Sequence, residues 1–431
     1  ELFRDAKVNS VNLSARGGNK TTGYMVSGGY LSQEGTITDT RFQRYSLRAN
    51  IDHKVNDFIK IGTNLYGSFI NQNRVRNDGS PEPGDASNFS NIYGPPALST
   101  ALVAPPVYPI YDETGYFSID TLTNYGNPVR QAKAIDIINQ AVRFMPSFFA
   151  NISLSKNVLL TTRFSADIRS ENEEWWNPPS PNQTVGVDGT GQTSRRTFDQ
   201  TLWTLDNYLS YDLDLGEGST LSFLGGNSVQ RSSRESSFVL GASIESPFIK
   251  TLNAAPEYDI TTSDREAWSL ASFFGRINYD FKNRYLINLN ARYDGSSRFG
   301  ENNRFGFFPS GAIGWRISSE PFAEGISAIF DDLKLRTSYG ITGNQSIGNY
   351  ASRALMNIGV GTNAGNNYTG RTGASFRSLA SSGLSWEETA QLDIGLDATF
   401  FKNRINVTMD YYIKTTDKLL FNVPLPSQTG F

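Results

Sequence analysis

The sequence contains no cysteine and a single histidine, His53. Zinc sites made of Cys and His ligands are therefore excluded, and so is a cysteine nucleophile. A Ser-His-Asp triad would have to use His53, which we expect to be a surface residue beside a short turn. The net charge of −3 gives no reason to expect a nucleic-acid partner. We predict no catalytic residue, no metal site and no cofactor.

Long apolar runs are also missing. The 431 residues include no stretch of about eighteen consecutive apolar residues, which excludes a helical membrane protein. A transmembrane β-barrel is not excluded, because only every second residue of each of its strands has to be apolar. The length fits either two or three soluble domains or one large barrel.

What the sequence does contain is a strict alternation of apolar and polar residues. In Arg284–Asp294 the apolar side chains fall on one face of an extended strand and the polar side chains on the other. The apolar set is Tyr285, Ile287, Leu289, Ala291 and Tyr293, and the polar set is Asn288, Asn290, Arg292 and Asp294. Arg404–Lys414 repeats the pattern. In a soluble sandwich the polar face would meet water, whereas in an outer-membrane barrel the apolar face meets lipid and the polar face lines the lumen.

The connections between these strands alternate between short and long. The short links are Gly18–Thr22, Lys54–Phe58, Ser155–Asn157, Asp214–Ser219, Phe281–Arg284, Ser318–Phe322 and Phe401–Arg404. The long ones are Gln33–Thr40, Gln72–Gln140, Glu171–Ser194, Ser232–Glu266, Gly295–Arg304 and Thr342–Ser385. Short turns on one rim and long loops on the other are typical of meander barrels. The sequence therefore predicts an all-β, antiparallel, up-and-down transmembrane β-barrel of about fourteen strands, with the short links facing the periplasm.

Nine stretches of the sequence carry a further signal: Tyr24–Gly35, Arg44–Asp52, Phe274–Leu286, Arg292–Gly300, Phe307–Phe322, Leu333–Gln345, Leu384–Thr389, Asp410–Leu420 and Pro424–Phe431. Together they resemble the SusC/RagA family of TonB-linked outer-membrane transporters of Bacteroidetes-type bacteria. The resemblance implies an outer-membrane nutrient importer for an oligosaccharide or a peptide. It also implies energy from TonB and a SusD-like surface lipoprotein as partner.

The resemblance also concerns domain organisation. Family members have a barrel of about 22 strands around a plug domain, and no plug or TonB box is recognised in this chain. We therefore expect residues 1–431 to form part of a single barrel domain, surrounded by outer-membrane lipid.

Candidate ligand-binding residues lie in the predicted extracellular loops. They are Glu174, Trp175 and Trp176, in an acidic and aromatic cluster with Glu173, together with Tyr93 and Tyr111 of the longest loop. The functional interpretation of the cluster is a platform on which sugars stack, and that of the tyrosines is the lining of an entry for a carbohydrate or a peptide. The alternative is that the tryptophans anchor the barrel at the membrane interface or pack a loop, and that the tyrosines form a small loop core.

Arginines along the polar face have two interpretations in a transporter. Arg292, Arg298, Arg304, Arg316 and Arg336 would project into the lumen or line its rims. Some could contact a plug or an anionic substrate. The simpler hypothesis, which we favour, is charge pairing along the inner wall with Asp294, Asp393 and Asp397.

Two other classes of protein compete with the transporter. The first is a soluble or surface-exposed all-β glycan-binding protein without transport. The second is a glycan-degrading enzyme, which is disfavoured because Glu173 and Glu174 are adjacent on a strand and point to opposite faces. Glycosidases need two carboxylates that face one sugar from about 5 to 9.5 Å apart.

Overall fold

A single antiparallel sheet of fourteen strands dominates the computed structural model. The structure describes residues 2–75, 97–105, 107–118, 126–180, 189–323, 325, 329–358, 367–368, 371–421, 423, 426 and 428. The strands follow one another in chain order, from β1 (Val8–Gly18) to β12 (Phe330–Asn344) and then to β17 (Glu387–Phe400) and β18 (Ile405–Asp417). This order confirms the predicted up-and-down topology and the predicted strand number. Within the described residues the edge strands, β1 and β18, do not pair with each other.

The bounds of the elements are as follows. Strands β1 to β6 are Val8–Gly18, Thr22–Glu34, Arg41–Lys54, Ile59–Asn73, Asp136–Ser153 and Val158–Asn177. Strands β7 to β12 are Gly191–Gly216, Ser219–Ile244, Glu257–Phe281, Tyr285–Ser296, Phe305–Arg316 and Phe330–Asn344. Strands β13 to β18 are Leu355–Ile358, Asn367–Tyr368, Arg371–Thr372, Ala374–Ser378, Glu387–Phe400 and Ile405–Asp417. Helices α1 and α2 are Ala97–Val103 and Pro128–Lys133, and short 3-10 turns occupy Leu252–Ala254, Glu301–Asn303, Ile317–Ser319 and Pro321–Ala323.

The strand register places apolar and polar residues in separate rows across the sheet. One row of directly paired residues is Val158, Tyr211, Phe223, Ile277, Leu289, Gly311, Tyr339, Leu392 and Ile413. The adjacent row is Asp212, Ser222, Asn278, Asn288, Ala312, Ser338, Asp393 and Tyr412. Because side chains alternate along each strand, the two rows lie on opposite faces of the sheet. We call the face of Leu289 the outer face and that of Asn288 the inner face.

The outer face exposes large apolar side chains over its whole width. Examples from separate strands are Leu47, Phe148, Leu289, Ile313 and Met409, all of which are exposed. A soluble protein would bury such a band as its core, because each of these side chains gains free energy on leaving water. The band is the lipid-facing belt of a membrane barrel.

The turns of one rim are tight, as predicted. Six connections on this rim have two to four residues: 19–21, 55–58, 154–157, 217–218, 282–284 and 401–404. Lys282 and Asn283 have φ values of 52° and 58°, and Asn403 has a φ of 62°. Asparagine tolerates this left-handed backbone better than most residues, which accounts for its place in both turns. The predicted short link Ser318–Phe322 is longer, at 317–329, and contains two 3-10 turns.

Two of the predicted long loops are wrong in extent. The loops expected at Glu171–Ser194 and Ser232–Glu266 shrink to 178–190 and 245–256, because strands β6 to β9 continue beyond the apolar belt. The ends of these strands at the long-loop rim carry few apolar residues, so the sequence shows no alternation of apolar and polar residues there. Ion pairs across neighbouring strands, such as Arg265–Glu235 at 2.8 Å, accompany the backbone ladder instead.

Buried side chains collect at the long-loop rim. One cluster joins Leu2 and Val75 to α1 and α2, and a second surrounds Phe299, Phe308 and Trp386. The apolar side chains of these clusters pack the loops against the ends of the strands. No helix among the described residues has the length and apolar character needed to cross a bilayer.

Candidate functional site

The inner face is a wall of amides, hydroxyls and paired charges. Asn278, Asn288 and Asn290 are linked by side-chain hydrogen bonds, and the Nδ2 of Asn290 also donates to the Ser310 hydroxyl at 3.3 Å. Such groups offer donors and acceptors to a polar solute or to a protein segment in the lumen.

A charge cluster joins strands β12, β17 and β18 on this wall. The guanidinium of Arg336 donates to Asp393 at 3.1 Å, to Asp397 at 3.3 Å and to Asp410. Lys334 adds an ion pair with Asp397 at 3.4 Å. The cluster therefore combines two cations with three carboxylates from two neighbouring strands.

A glycine makes this geometry possible. Arg336 is paired in register with Gly395, and Gly395 is paired with Asp410. A Cβ at Gly395 would collide with the guanidinium of Arg336. The missing side chain thus opens the path along which Arg336 crosses β17 to reach β18.

Charge pairing along the wall confirms the simpler hypothesis for two of the arginines. Arg336 pairs with Asp393 and Asp397, and Arg292 pairs with Asp294 at 2.8 Å. The partner Asp410 was not predicted. The alternating pattern did place Asp410 on the polar face, because the neighbouring Met409 belongs to the apolar face.

Small residues leave a recess in the same wall. A cavity of about 380 Å³ lies at Ala312 and Gly314 of β11, between Asn288 on one side and Lys334 and Arg336 on the other. Because Ala312 and Gly314 have almost no side chain, the longer neighbours stand above them.

At the short-turn rim, Glu320 is a buried carboxylate held by three donors. The Tyr285 hydroxyl donates at 2.6 Å, the Trp315 indole N–H at 3.0 Å and Arg284 at 3.5 Å. Hydrogen bonds from Tyr285 and Trp315, with the charge of Arg284 as a smaller cause, hold the pKa of Glu320 below its ordinary value. Glu320 ties the link 317–329 to the ends of β10 and β11, a role that the sequence pattern did not reveal.

The structure places Glu174, Trp175 and Trp176 in strand β6 and not in a loop. Trp175 is 1% exposed in a cluster with Ile137 and Leu240, and Trp176 is 5% exposed. Their ring faces are covered, which fits the loop-packing alternative and not an open sugar platform. The sequence did not reveal this because the apolar residues that cover the rings come from strands β5 and β8 and from the connection 245–256.

The two carboxylates of this cluster point in opposite directions. Glu173 is buried on the inner face and accepts hydrogen bonds from Arg74 and, at 3.5 Å, from Asn139. Glu174 is 62% exposed on the outer face and lies 3.9 Å from Arg195. The separation agrees with the sequence argument against a glycosidase pair.

The long loop between β4 and β5 carries the other candidate residues. Tyr111 is 42% exposed and contacts Phe117, with ring centroids 5.1 Å apart, and Phe117 packs against the cluster of Leu2 and Val75. Tyr93 lies outside the described residues. His53 lies at the short-turn rim, where Nδ1 is 2.8 Å from the Thr22 hydroxyl.

A buried arginine anchors the end of this loop. Arg130 of α2 donates to the Asn177 Oδ1 at 2.8 Å and to the Pro178 carbonyl at 3.4 Å. Burial lowers the pKa of Arg130. The contact joins the long loop to the end of β6, and no motif in the sequence signals it.

The fold, with its apolar outer belt and polar inner wall, defines a class, the β-barrel proteins of the outer membrane. The model of the family "TonB dependent receptor-like, beta-barrel" matches residues 108–431, and the chain belongs to this family. It is an outer-membrane protein of the SusC/RagA type, as the resemblance predicted.

Named relatives agree with this assignment. The chain is 33% identical to TonB-dependent receptor P26 of Formosa agariphila and 28% identical to TonB-dependent receptor SusC of Bacteroides thetaiotaomicron, each match covering 100% of this chain. It spans 42% and 43% of those two proteins, which is less than half of their length. Among solved structures, the RagAB peptide transporter superposes with a TM-score of 0.84 at 27% identity, covering 100% of this chain and 46% of that one.

Proposed function

We propose that this chain forms part of the barrel wall of an importer that takes up an oligosaccharide or a peptide and is energised through TonB. The observation that carries the proposal is the polar inner face, opposite a continuous apolar belt. A polar solute that passes along this wall through the lumen exchanges hydrogen bonds with water for hydrogen bonds with the amides and hydroxyls of the wall. No reaction on the solute is part of the proposal.

We further propose that a SusD-like surface lipoprotein sits over the long-loop rim. Strands β7 and β8 have 26 residues each, which is about 65 Å along the membrane normal for strands tilted by about 40°, against a belt about 25 Å tall. The excess supports a folded platform outside the membrane, large enough to seat a protein.

The proposed ligand-binding surface of this rim includes Glu174 and Tyr111, whose side chains are exposed. Trp175 and Trp176 would support it from within. Tyr93 belongs to the same proposal from the sequence alone. We also propose that residues 1–431 form part of a single barrel domain, with no further domain within them.

Uptake by whole cells tests the transport proposal. Cells that produce the full-length protein, cells without it and producing cells treated with a protonophore would be given fluorescent oligosaccharides and fluorescent peptides. We expect one class to accumulate in producing cells only, and accumulation to stop with the protonophore, since TonB draws on the proton gradient. Surface binding without accumulation would favour the alternative, a glycan-binding protein without transport.

A further inference from the structure

A polar recess lies on the outer face at the long-loop rim, away from the inner wall. Its volume is about 290 Å³. The lining residues are Arg4, Asp39, Arg41, Gln43, Asn71, Asn73 and Ile138. They come from β3, β4 and β5, from the segment before β1 and from the connection between β2 and β3. The proposed transport function uses none of these residues.

The recess lies directly above an aromatic row of the lipid-facing belt. The rings of Tyr30 and Tyr45 are 5.0 Å apart, and those of Tyr45 and Phe69 are 6.4 Å apart. Tyr45 is 50% exposed on the outer face. Aromatic rows of this kind mark the boundary between hydrocarbon and headgroups.

Strand geometry gives the height of the recess above that boundary. Gln43 and Arg41 share the outer face with Tyr45 and lie two and four residues before it in β3, towards the long-loop rim. At about 3.3 Å per residue and a tilt near 40°, the recess is about 5 to 10 Å above the ring of Tyr45. That depth is occupied by lipid headgroups.

The backbone fixes Arg4 in place. Its Nε donates to the Gly35 carbonyl at 3.2 Å and its Nη2 to the Thr40 carbonyl at 2.7 Å. The neighbouring Leu2 is buried in the cluster with Val75. Among the described residues, Arg4 donates through Nε and Nη2, so Nη1 keeps donors for a ligand.

The charged and hydrogen-bonding side chains of the recess together favour one class of ligand. Arg4 and Arg41 supply two guanidiniums, while Asp39 and Glu34, which lies 3.6 Å from Arg41, supply carboxylates, so the recess has no excess positive charge. A bare anion would gain little there. A phosphorylated sugar gains more, because its phosphate accepts from the guanidiniums while its hydroxyls bond to Asp39 and to the amides of Gln43, Asn71 and Asn73.

We propose that this recess binds the phosphorylated sugar headgroup of a glycolipid in the outer leaflet. The acyl chains would lie below it, against Tyr30, Tyr45 and Phe69. A glycolipid held there would fix the depth of the barrel beside β3 and β4. The proposal is independent of the transported solute.

Lipid retention tests the proposal. The full-length protein would be purified from outer membranes in mild detergent, and bound lipopolysaccharide would be counted by native mass spectrometry during detergent washing. We expect Arg41→Gln to lower retention about tenfold, the effect of losing one charge-assisted hydrogen bond, and Arg4→Gln with Arg41→Gln to lower it further. The single variant keeps Arg4 and its backbone contacts, so it separates binding from folding.

Arg265→Gln is the matched control. Arg265 also lies on the outer face beyond the belt, is exposed and pairs with Glu235, but does not line the recess. Unchanged retention in the control with loss in Arg41→Gln supports the proposal. Equal retention in the unaltered protein, the single variant, the double variant and the control overturns it. Displacement of the glycolipid by millimolar inorganic phosphate also overturns it, because the recess would then be a site for free anions.

Discussion

Single residues stabilise the inner wall by joining strands that are not neighbours. Arg336 of β12 reaches Asp393 on β17 and Asp410 on β18, and Gly395 leaves room for it to pass. Alternation placed all four residues on one face. It did not indicate which carboxylates share the guanidinium, because that depends on the register between strands.

Arg336→Met should lower the free energy of unfolding by about 1 to 2 kcal/mol, because three carboxylates lose a shared cation. The Arg336 side chain is 32% exposed, so solvent screening keeps the loss below that of a fully buried pair. The measurement is chemical unfolding of the full-length protein, followed by tryptophan fluorescence.

Lys54→Met is the control for this variant. It breaks the exposed pair with Asp57 in a short turn and should cost less than Arg336→Met, because solvent screens an exposed pair. Equal losses for the two variants would show that the Arg336 cluster contributes no more than a surface pair.

Glu320 gives a pH-dependent prediction. The pKa of Glu320 is held below its ordinary 4.5, so its contribution to stability is fully present above that value and is lost as the pH falls through the folded-state pKa. Glu320→Gln should therefore destabilise the protein at neutral pH, and its difference from the unaltered protein should shrink in acid. Unfolding midpoints between pH 7 and about pH 3 measure this.

Glu113→Gln, at an exposed carboxylate of the long loop, is the control and should leave the midpoint unchanged across the series. A Glu320→Gln difference that stays constant with pH would refute the role given to the ionised carboxylate.

Among whole elements, the tight turns follow most directly from local sequence. The sequence F-K-N-R occurs at both Phe281–Arg284 and Phe401–Arg404, and in both turns the lysine and the asparagine have positive φ. The far ends of β6 to β9 were missed, because these segments combine polar residues on both faces with buried residues whose partners come from other elements. Strand pairing there depends on neighbours that the local pattern does not contain.

Asn283→Val should destabilise the β9–β10 turn by about 1 to 2 kcal/mol, because a β-branched residue is strained at positive φ. Asn283→Gly should be close to neutral. Lys60→Val, at an exposed strand position, is the comparison and should be tolerated. Heat-dependent gel mobility of the folded barrel reports the midpoints, and equal midpoints for the two valine variants would contradict the turn assignment.

At the scale of the whole sheet, one rim has short turns and the other has long loops. Outer-membrane barrels have their short turns in the periplasm and their long loops outside the cell, so we assign the two rims in that way. Because this chain contains no cysteine, single cysteines can report the assignment without background from its own residues. Phe248→Cys, at an exposed loop position, should react with an impermeant maleimide on intact cells. Lys402→Cys should react only after the outer membrane is permeabilised. The reverse pattern would invert the orientation.

The sequence by itself determined the two-faced strands, their approximate number, the short-turn rim and the family, because all of these depend on residue types a few positions apart. Tertiary structure decided which side chains meet. It buried Trp175 and Trp176, gave Arg336 its third carboxylate and assembled the outer-face recess around Arg4 and Arg41. These contacts join segments that are distant in the chain, and the register between strands that brings them together is a property of the whole sheet.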